Sequence, residues 1–131
     1  MSATDTPSST TKQGFIRKEA PTVFGRSHRR WFVLDADACT LRYYEDEAKA
    51  AAHARDPREP GPRGEIDIRP SKCAVHGDGG SRSEPKLDLV TAGGRTYVLV
   101  WAPDDEGRAD ERAWWVALLG AQARYLSLIH I

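Results

Sequence analysis

Basic side chains stand at the ends of the first two predicted strands. Lys18 lies at the far end of the first strand, and His28, Arg29 and Arg30 lead into the second. The intervening loop contains proline and glycine, which favour a turn. If the loop closes an antiparallel hairpin, Lys18 lies close to His28 and Arg30. The spacing therefore predicts positive charge at one rim of a sheet.

The charge is unevenly distributed along the chain. The formal net charge is zero, with 19 basic and 19 acidic residues, so the overall balance implies no partner. Residues 12–34 contain six Lys or Arg against one acid, whereas residues 104–112 contain five acids against two Arg. Local patches of this kind steer partners more than net charge does.

Length and composition predict one globular domain. The 131 residues are 40% hydrophobic and 29% charged, an ordinary balance for a chain with a core. Residues 1–11 are polar and rich in Ser and Thr, so we expect a disordered lead-in there, followed by a domain at residues 12–126. The apolar tail at residues 127–131 fits no motif. A frayed helix end and foreign sequence both account for it.

Several features predict a cytoplasmic protein that contacts membranes only at their surface. The first thirteen residues lack an apolar run, which argues against a secretory signal at this end. No stretch reaches the roughly 20 apolar residues of a membrane span. Cys39 and Cys73 lack redox or metal-ligand spacing, so we expect reduced thiols.

The sequence lacks the usual patterns of catalysis and metal binding. Its four histidines have no metal-ligand spacing, and there is neither a Gly-x-Ser-x-Gly motif nor a phosphate-binding glycine-rich loop before a helix. The aromatic residues are expected mainly in the core, not interleaved with basic residues on a surface that could bind nucleic acid. We therefore predict no catalytic residue, metal, cofactor or nucleic-acid partner.

The hydrophobic pattern predicts seven strands, one short helix and one terminal helix. The strands are expected at residues 13–19, 29–34, 41–44, 63–68, 70–75, 87–90 and 96–101. An alanine-rich helix is expected within residues 45–55, and a longer one from residue 104 or 105 to about Tyr125. The long helix is amphipathic, so it is expected to cover one open end of a bent sheet.

The same pattern predicts which aromatic residues are buried. The residues expected in the core are Phe15, Trp31, Trp101 and a helical stripe of Trp115, Leu118 and Leu119. Trp114 must then face elsewhere on the helix and is expected to be partly exposed.

Six segments resemble the pleckstrin homology (PH) domain family and occur in that family's order. They are Gly14-Phe15-Ile16-Arg17-Lys18, Arg29-Arg30-Trp31-Phe32-Val33-Leu34, Leu41-Arg42-Tyr43-Tyr44, Arg63-Gly64-Glu65-Ile66, Arg95-Thr96-Tyr97-Val98-Leu99 and Trp115-Val116-Ala117-Leu118-Leu119. The resemblance covers about residues 12 to 125. It implies a mostly β fold of seven strands in two orthogonal antiparallel sheets, a barrel that the C-terminal α-helix caps.

The resemblance also implies an inositol-phosphate site at the open end of the barrel. Lys18, Arg30 and Tyr43 match the Lys, Arg and Tyr of members that bind these lipids well. Arg63, just before the glycine that opens the fourth strand, matches a further phosphate contact of some members. His28 departs from the pattern, since those members usually carry Lys or Arg there.

These residue types suit a ring that carries several phosphates. Lys offers a point charge, Arg a bidentate fork and Tyr a hydroxyl donor. A histidine has an unperturbed pKa of about 6.5, so His28 contributes only when it is protonated. Arg29 is expected to point to the opposite face from Arg30, because side chains alternate along a strand.

The first functional hypothesis is a signalling adaptor that binds phosphoinositide headgroups and so associates peripherally with membranes. Its predicted phosphoinositide-binding residues are Lys18, His28, Arg30, Tyr43 and Arg63. Val23 and Phe24, at the tip of the first loop, are candidates for insertion into the bilayer interface.

The alternative hypothesis is a protein-interaction or scaffolding module without significant lipid binding. Its contacts would lie on the acidic start of the last helix, on Trp114, or on the inserted segment at residues 45–55.

Overall fold

The structure is a computed structural model that describes residues 10–19, 27–77 and 84–129. Its elements, in chain order, are β1 (Thr10–Lys18), β2 (His28–Asp35), β3 (Thr40–Tyr44), α1 (Glu47–Arg55), β4 (Gly64–Asp67), β5 (Cys73–Gly77), β6 (Lys86–Thr91), β7 (Thr96–Val100) and α2 (Asp105–Ile129). Seven strands and a C-terminal helix are present, as predicted. β1 begins within the expected lead-in, and α2 continues past its expected end at Tyr125.

The strands pair antiparallel in the order β4-β3-β2-β1-β7-β6-β5. Only two register pairs join β1 to β7, Arg17 with Val100 and Lys18 with Leu99. The Glu19 amide extends this junction by donating a 3.0 Å hydrogen bond to the carbonyl of Val98. The two predicted sheets are therefore two halves of one hydrogen-bonded sheet, and Lys18 lies at their junction.

Alternating side chains on the inner face of the sheet form the core. Its buried members include Ile16, Phe32, Leu34, Leu41, Ile66, Leu87, Leu89 and Leu99. Burial of one such side chain contributes roughly 1.5–3 kcal/mol. Because strand side chains alternate, this inner set also determines which residues must lie outside.

Phe15 and Trp31 lie on the outer face, so their predicted place in the core was wrong. They stand opposite each other, with ring centroids 4.8 Å apart in an edge-to-face pair. Trp31 Nε1 donates a 3.2 Å hydrogen bond to Gln13 Oε1. Their neighbours Ile16 and Phe32 take the inner positions and are 2% and 0% exposed. If the alternation along a strand is assigned one residue out of step, every side chain is placed on the wrong face of the sheet, which explains the error.

Leu118 is buried as predicted, but the rest of the packed face of α2 differs from the predicted stripe. Trp114, Leu118 and Ala121 are buried, with Trp114 only 1% exposed. Trp115 is half-buried and lies against Gly77, while Leu119 is 43% exposed. The buried set has i, i+4, i+7 spacing, as good for a helix as the predicted stripe. Tertiary packing decides between the two.

α2 is anchored at both ends of its packed face. Asp104 Oδ1 accepts a 2.7 Å hydrogen bond from the Gly107 amide and so caps the helix start. Trp101, buried as predicted, donates a 2.8 Å hydrogen bond from Nε1 to Asp110. Gln122 Nε2 donates 2.9 Å hydrogen bonds to the carbonyls of Ile68 and Cys73. The helix therefore covers the connection between β4 and β5.

The short helix α1 is held on the outside of the barrel near the end of β3. Asp46 Oδ1 accepts a 2.8 Å hydrogen bond from the Lys49 amide and caps the helix. Tyr44 Oη lies 3.1 Å from His53 Nδ1, which joins the helix to β3. Among the described helices, none is both long and apolar enough to cross a membrane.

Candidate functional site

The register brings the ends of β1 and β3 together with the starts of β2 and β4 at one end of the barrel. Lys18, the last residue of β1, stands directly opposite His28, the first residue of β2. Tyr43, near the end of β3, stands opposite Gly64, the first residue of β4. Lys18 pairs with Leu99, near the end of β7, so the start of this antiparallel strand lies beyond the end of β1.

Lys18, His28 and Arg30 occupy inner-face positions at this end. Arg30 stands opposite the buried Ile16, and His28 lies two residues before it on the same face. Lys18 Nζ lies 5.3 Å from the centroid of the Tyr43 ring. The hairpin therefore brings these three basic positions together, as the spacing predicted.

Tyr43 is held between β2 and β4. Its ring packs on Phe32, with centroids 5.3 Å apart, and only 7% of the residue is exposed. The far edge of the ring lies over Gly64, so that a Cβ on Gly64 would overlap ring atom Cζ and the hydroxyl oxygen. The Arg63 amide donates a 2.8 Å hydrogen bond to the Tyr43 carbonyl. These contacts place Arg63 beside Tyr43.

Cations crowd around Lys18. Burial lowers the pKa of Lys18 below its ordinary value, and repulsion from Arg95, Arg30 and Arg63 lowers it further. None of these four residues forms an ion pair with a carboxylate in the described part of the chain. A bound anion would relieve this repulsion.

The Tyr43 phenol is suited to donate a hydrogen bond. Burial raises its pKa above the ordinary value, and the nearby Tyr97 raises it further. Arg95, Arg30 and Arg63 oppose this shift without reversing it. The hydroxyl therefore keeps its proton at neutral pH.

Arg95 and Tyr97 join the cluster, although neither was predicted as a site residue. The guanidinium carbon of Arg95 lies 4.3 Å from the centroid of the Tyr97 ring. A signal existed in the sequence, because Arg95 leads into β7 just as Arg30 lies at the start of β2. Its proximity to Lys18 depends on sheet closure between β1 and β7, which sequence spacing does not reveal.

The outer face of the β1–β2 hairpin carries arginines with partners of their own. The guanidinium carbon of Arg29 lies 3.7 Å from the centroid of the Phe15 ring, on the face opposite Arg30, as predicted. Arg17 Nη2 donates 2.8 Å hydrogen bonds to both carboxylate oxygens of Glu84. Val23 and Phe24 lie outside the described residues.

The described residues show neither a metal-binding cluster nor a thiol placed for reaction. They contain no cluster of three or more His, Cys, Asp or Glu that could hold a metal ion. Cys39 and Cys73 are both free and buried. Burial raises the pKa of Cys73 to about 11, so this thiol is protonated and unreactive at neutral pH.

Two of the three features considered for protein contact are at least partly used within the domain. Trp114 is buried rather than partly exposed, so it presents no surface to a partner. In the acidic start of α2, Asp104 caps the helix and Asp110 accepts a hydrogen bond from Trp101.

Comparison with known proteins identifies the fold family. The PH domain family profile matches residues 10–123. No curated protein sequence matches the chain. The C-terminal PH domain of pleckstrin, solved in complex with D-myo-Ins(1,2,3,5,6)P5, is 24% identical with a TM-score of 0.64, over 88% of this chain and 97% of that chain.

Two human PH domains are similarly related. That of oxysterol binding protein-related protein 11 is 21% identical with a TM-score of 0.64, over 90% of this chain and 84% of that chain. That of TBC1 domain family member 2 is 18% identical with a TM-score of 0.64, over 88% of this chain and 83% of that chain. PH domains are generally non-catalytic modules that commonly mediate lipid or protein interactions. The chain belongs to the PH domain family.

Proposed function

We propose that this PH domain binds phosphoinositide headgroups at the open end of its barrel. The pocket consists of Lys18, Arg30, Tyr43 and Arg63, with His28 as a pH-dependent member. One observation carries the proposal: basic side chains converge around Lys18 without a carboxylate partner among the described residues. A cluster of this kind attracts polyanions.

Each residue contributes a different element of phosphate recognition. Lys18 supplies a point charge at the junction of the two half-sheets. Arg30 and Arg63 supply planar forks that bind phosphate oxygens bidentately. Tyr43 supplies a hydroxyl donor, which its raised pKa keeps protonated.

The fold supports this assignment. The C-terminal PH domain of pleckstrin, which has the same fold, is known in complex with an inositol pentakisphosphate. In our proposal the corresponding ligand of this domain is the headgroup of a membrane lipid. The domain then acts as a non-catalytic adaptor that recruits a cytoplasmic signalling protein to the membrane surface.

Replacing Arg30 with alanine is expected to weaken binding to phosphoinositide vesicles by at least about tenfold, the loss expected for one charge-assisted contact. Co-sedimentation with phosphatidylcholine vesicles, with and without phosphatidylinositol 3,4,5-trisphosphate, measures this effect. Wild-type binding should require the phosphoinositide and decrease at high salt, because salt screens exposed charges.

Arg29→Ala is the matched control, since it removes the same charge from the outer face of the same strand. Equal weakening by the two substitutions would contradict a defined pocket. Wild-type binding to plain phosphatidylcholine, or no binding to any vesicle, would refute the proposed function. The latter result would favour the protein-interaction hypothesis.

His28 stands directly opposite Lys18, so its side chain lies at the same end of the barrel. We expect His28→Gln to weaken binding to phosphoinositide vesicles less than Arg30→Ala does, because a guanidinium is always charged and binds phosphate bidentately. Co-sedimentation of both variants under the same conditions measures the difference. Binding of His28→Gln equal to that of wild type would remove His28 from the site.

A further inference from the structure

The Lys18 amine lacks the carboxylate partner that other lysines of the domain have. Lys12 Nζ and Lys49 Nζ each lie within 4.0 Å of a carboxylate oxygen. Lys18 Nζ lies instead 5.3 Å from the centroid of the Tyr43 ring, and it forms no ion pair with a carboxylate of the described residues. No described acidic side chain therefore holds Lys18 in its ammonium form.

Three arginines approach this amine from three other strands. Arg30 lies on β2, Arg63 directly precedes β4, and Arg95 directly precedes β7. β2 and β7 both pair with β1 at its end, and Lys18 is the last residue of β1. Burial lowers the pKa of Lys18 most, and repulsion from the three arginines lowers it further. The strand geometry thus concentrates positive charge around one amine.

The other titratable groups around Lys18 do not offset this charge. His28, directly opposite on β2, is either neutral or positive. Tyr43 keeps its phenolic proton, because burial raises its pKa. Glu19 follows Lys18 in the chain, so its side chain alternates to the other face of the sheet. This environment favours a neutral amine over an ammonium, and it favours an anion over either.

We infer that Lys18 is a carbon dioxide site, at which the side-chain amine forms a carbamate. The unprotonated Nζ attacks the carbon of carbon dioxide and forms an N–C bond. One C–O π bond breaks, its electron pair moves to the oxygen, and a proton leaves Nζ for water. Nothing is oxidised or reduced. Cationic neighbours activate a lysine as a nucleophile in this way.

The product suits the cluster better than the ammonium does. Carbamate formation replaces a positive charge with a negative one, so repulsion from the three arginines becomes attraction. Their planar guanidinium groups can bind the two carbamate oxygens as they bind a carboxylate. The carbamate of Lys18 then occupies the arginines that phosphate needs, so carbon dioxide should weaken phosphoinositide binding. This consequence rests on the proposed function, whereas carbamate formation does not.

Chemical trapping tests the modification directly. The full chain is treated with triethyloxonium in isotopically labelled bicarbonate buffer, and its peptides are analysed by mass spectrometry. A labelled ethyl carbamate is expected on Lys18 but not on Lys12 or Lys49, whose carboxylate partners favour the ammonium form. The α-amino group of the chain is the positive control, because its unperturbed pKa of about 8 permits the same reaction. Label on the α-amino group without label on Lys18, or equal label on all three lysines, would overturn the inference.

The dependence on the arginines has a matched pair of variants. Arg95→Gln is expected to lower the labelled fraction of Lys18 severalfold, because it removes the charged neighbour with the largest effect on this amine. Arg29→Gln removes the same charge from the outer face, where Arg29 also stacks on an aromatic ring, and should leave the labelling unchanged. Equal labelling in the two variants would contradict a carbamate held by the cluster.

Vesicle binding tests the consequence. Co-sedimentation with vesicles containing phosphatidylinositol 3,4,5-trisphosphate is compared in bicarbonate and in sodium chloride of equal pH and ionic strength. Wild-type binding is expected to weaken by about two- to tenfold in bicarbonate, as for roughly half to nine-tenths occupancy by a competitor. Lys18→Arg cannot form the carbamate, because its guanidinium stays protonated, so its affinity should be the same in both buffers. An equal loss in Lys18→Arg would overturn the competition.

The carbamate and the proposed function fail separately. If Lys18 takes no label but Arg30→Ala still weakens vesicle binding, the proposed function stands and the carbamate is refuted. If Lys18 is labelled but wild type binds no vesicle in either buffer, the carbamate stands and the proposed function is refuted.

Discussion

Replacing Trp114 with alanine is expected to lower the free energy of unfolding by about 3–5 kcal/mol, the usual cost of removing a buried aromatic side chain. Trp114 is 1% exposed and is the largest fully buried side chain in the described residues. Its ring packs on Gly14, and Lys12 Nζ lies 5.2 Å from the ring centroid. Its loss leaves a cavity between α2 and β1 that neither backbone can readily fill.

Urea denaturation monitored by circular dichroism measures this effect. Trp31→Ala serves as the control, because Trp31 is half-buried on the outer face and its substitution should cost much less. Similar losses for the two variants would contradict the assignment of the α2 face. If Trp114→Ala loses a protein partner, the cause would be lower stability rather than a missing surface contact, because Trp114 is buried.

Replacing Gly64 with alanine is expected to weaken phosphoinositide binding about as strongly as removing a phosphate contact, by about tenfold. An added Cβ would overlap the Tyr43 ring at its hydroxyl end. The obstacle is a rigid ring that Phe32 holds from its other side, with centroids 5.3 Å apart. The ring must therefore move, which displaces the hydroxyl and costs about 1–3 kcal/mol of stability.

Gly93→Ala is the matched control, since a Cβ at Gly93 meets nothing within 4 Å. A Tyr43→Leu background tests the cause, because the shorter side chain leaves room beside residue 64. The stability cost of Gly64→Ala should shrink there, a non-additivity expected of residues in contact. Unchanged binding and stability in Gly64→Ala would contradict the close packing of Tyr43 on β4.

The strand pattern and the first hairpin could be predicted because they depend on neighbours in sequence. Alternating isoleucines predicted β4. The loop between the first two strands predicted a hairpin in which Lys18 lies close to His28, and the two residues do pair. The inner face of the β1–β2 hairpin was harder to assign. Phe15 and Ile16 are both apolar, as are Trp31 and Phe32. The alternation of polar and apolar residues therefore could not show which residue of each pair faces the core.

Tyr43 and Arg63 came into the predicted site through family resemblance, and the register explains why that resemblance is informative. Tyr43 pairs with Gly64, and Arg63 directly precedes that glycine. Glycine is strongly favoured at this position, because a Cβ there would overlap the Tyr43 ring. The glycine that opens β4 thus also leaves room for the Tyr43 ring of the candidate site.

The amino-acid sequence alone was sufficient for the strand count, the terminal helix and the basic cluster across the first hairpin. These features follow from local propensity, short loops and the alternation of side chains. Only tertiary packing decided which of Trp114 and Trp115 is buried, because both lie on acceptable helical stripes. Only the pairing of β7 with β1 brought Arg95 near enough to lower the pKa of Lys18, because that pairing joins strands from opposite ends of the domain.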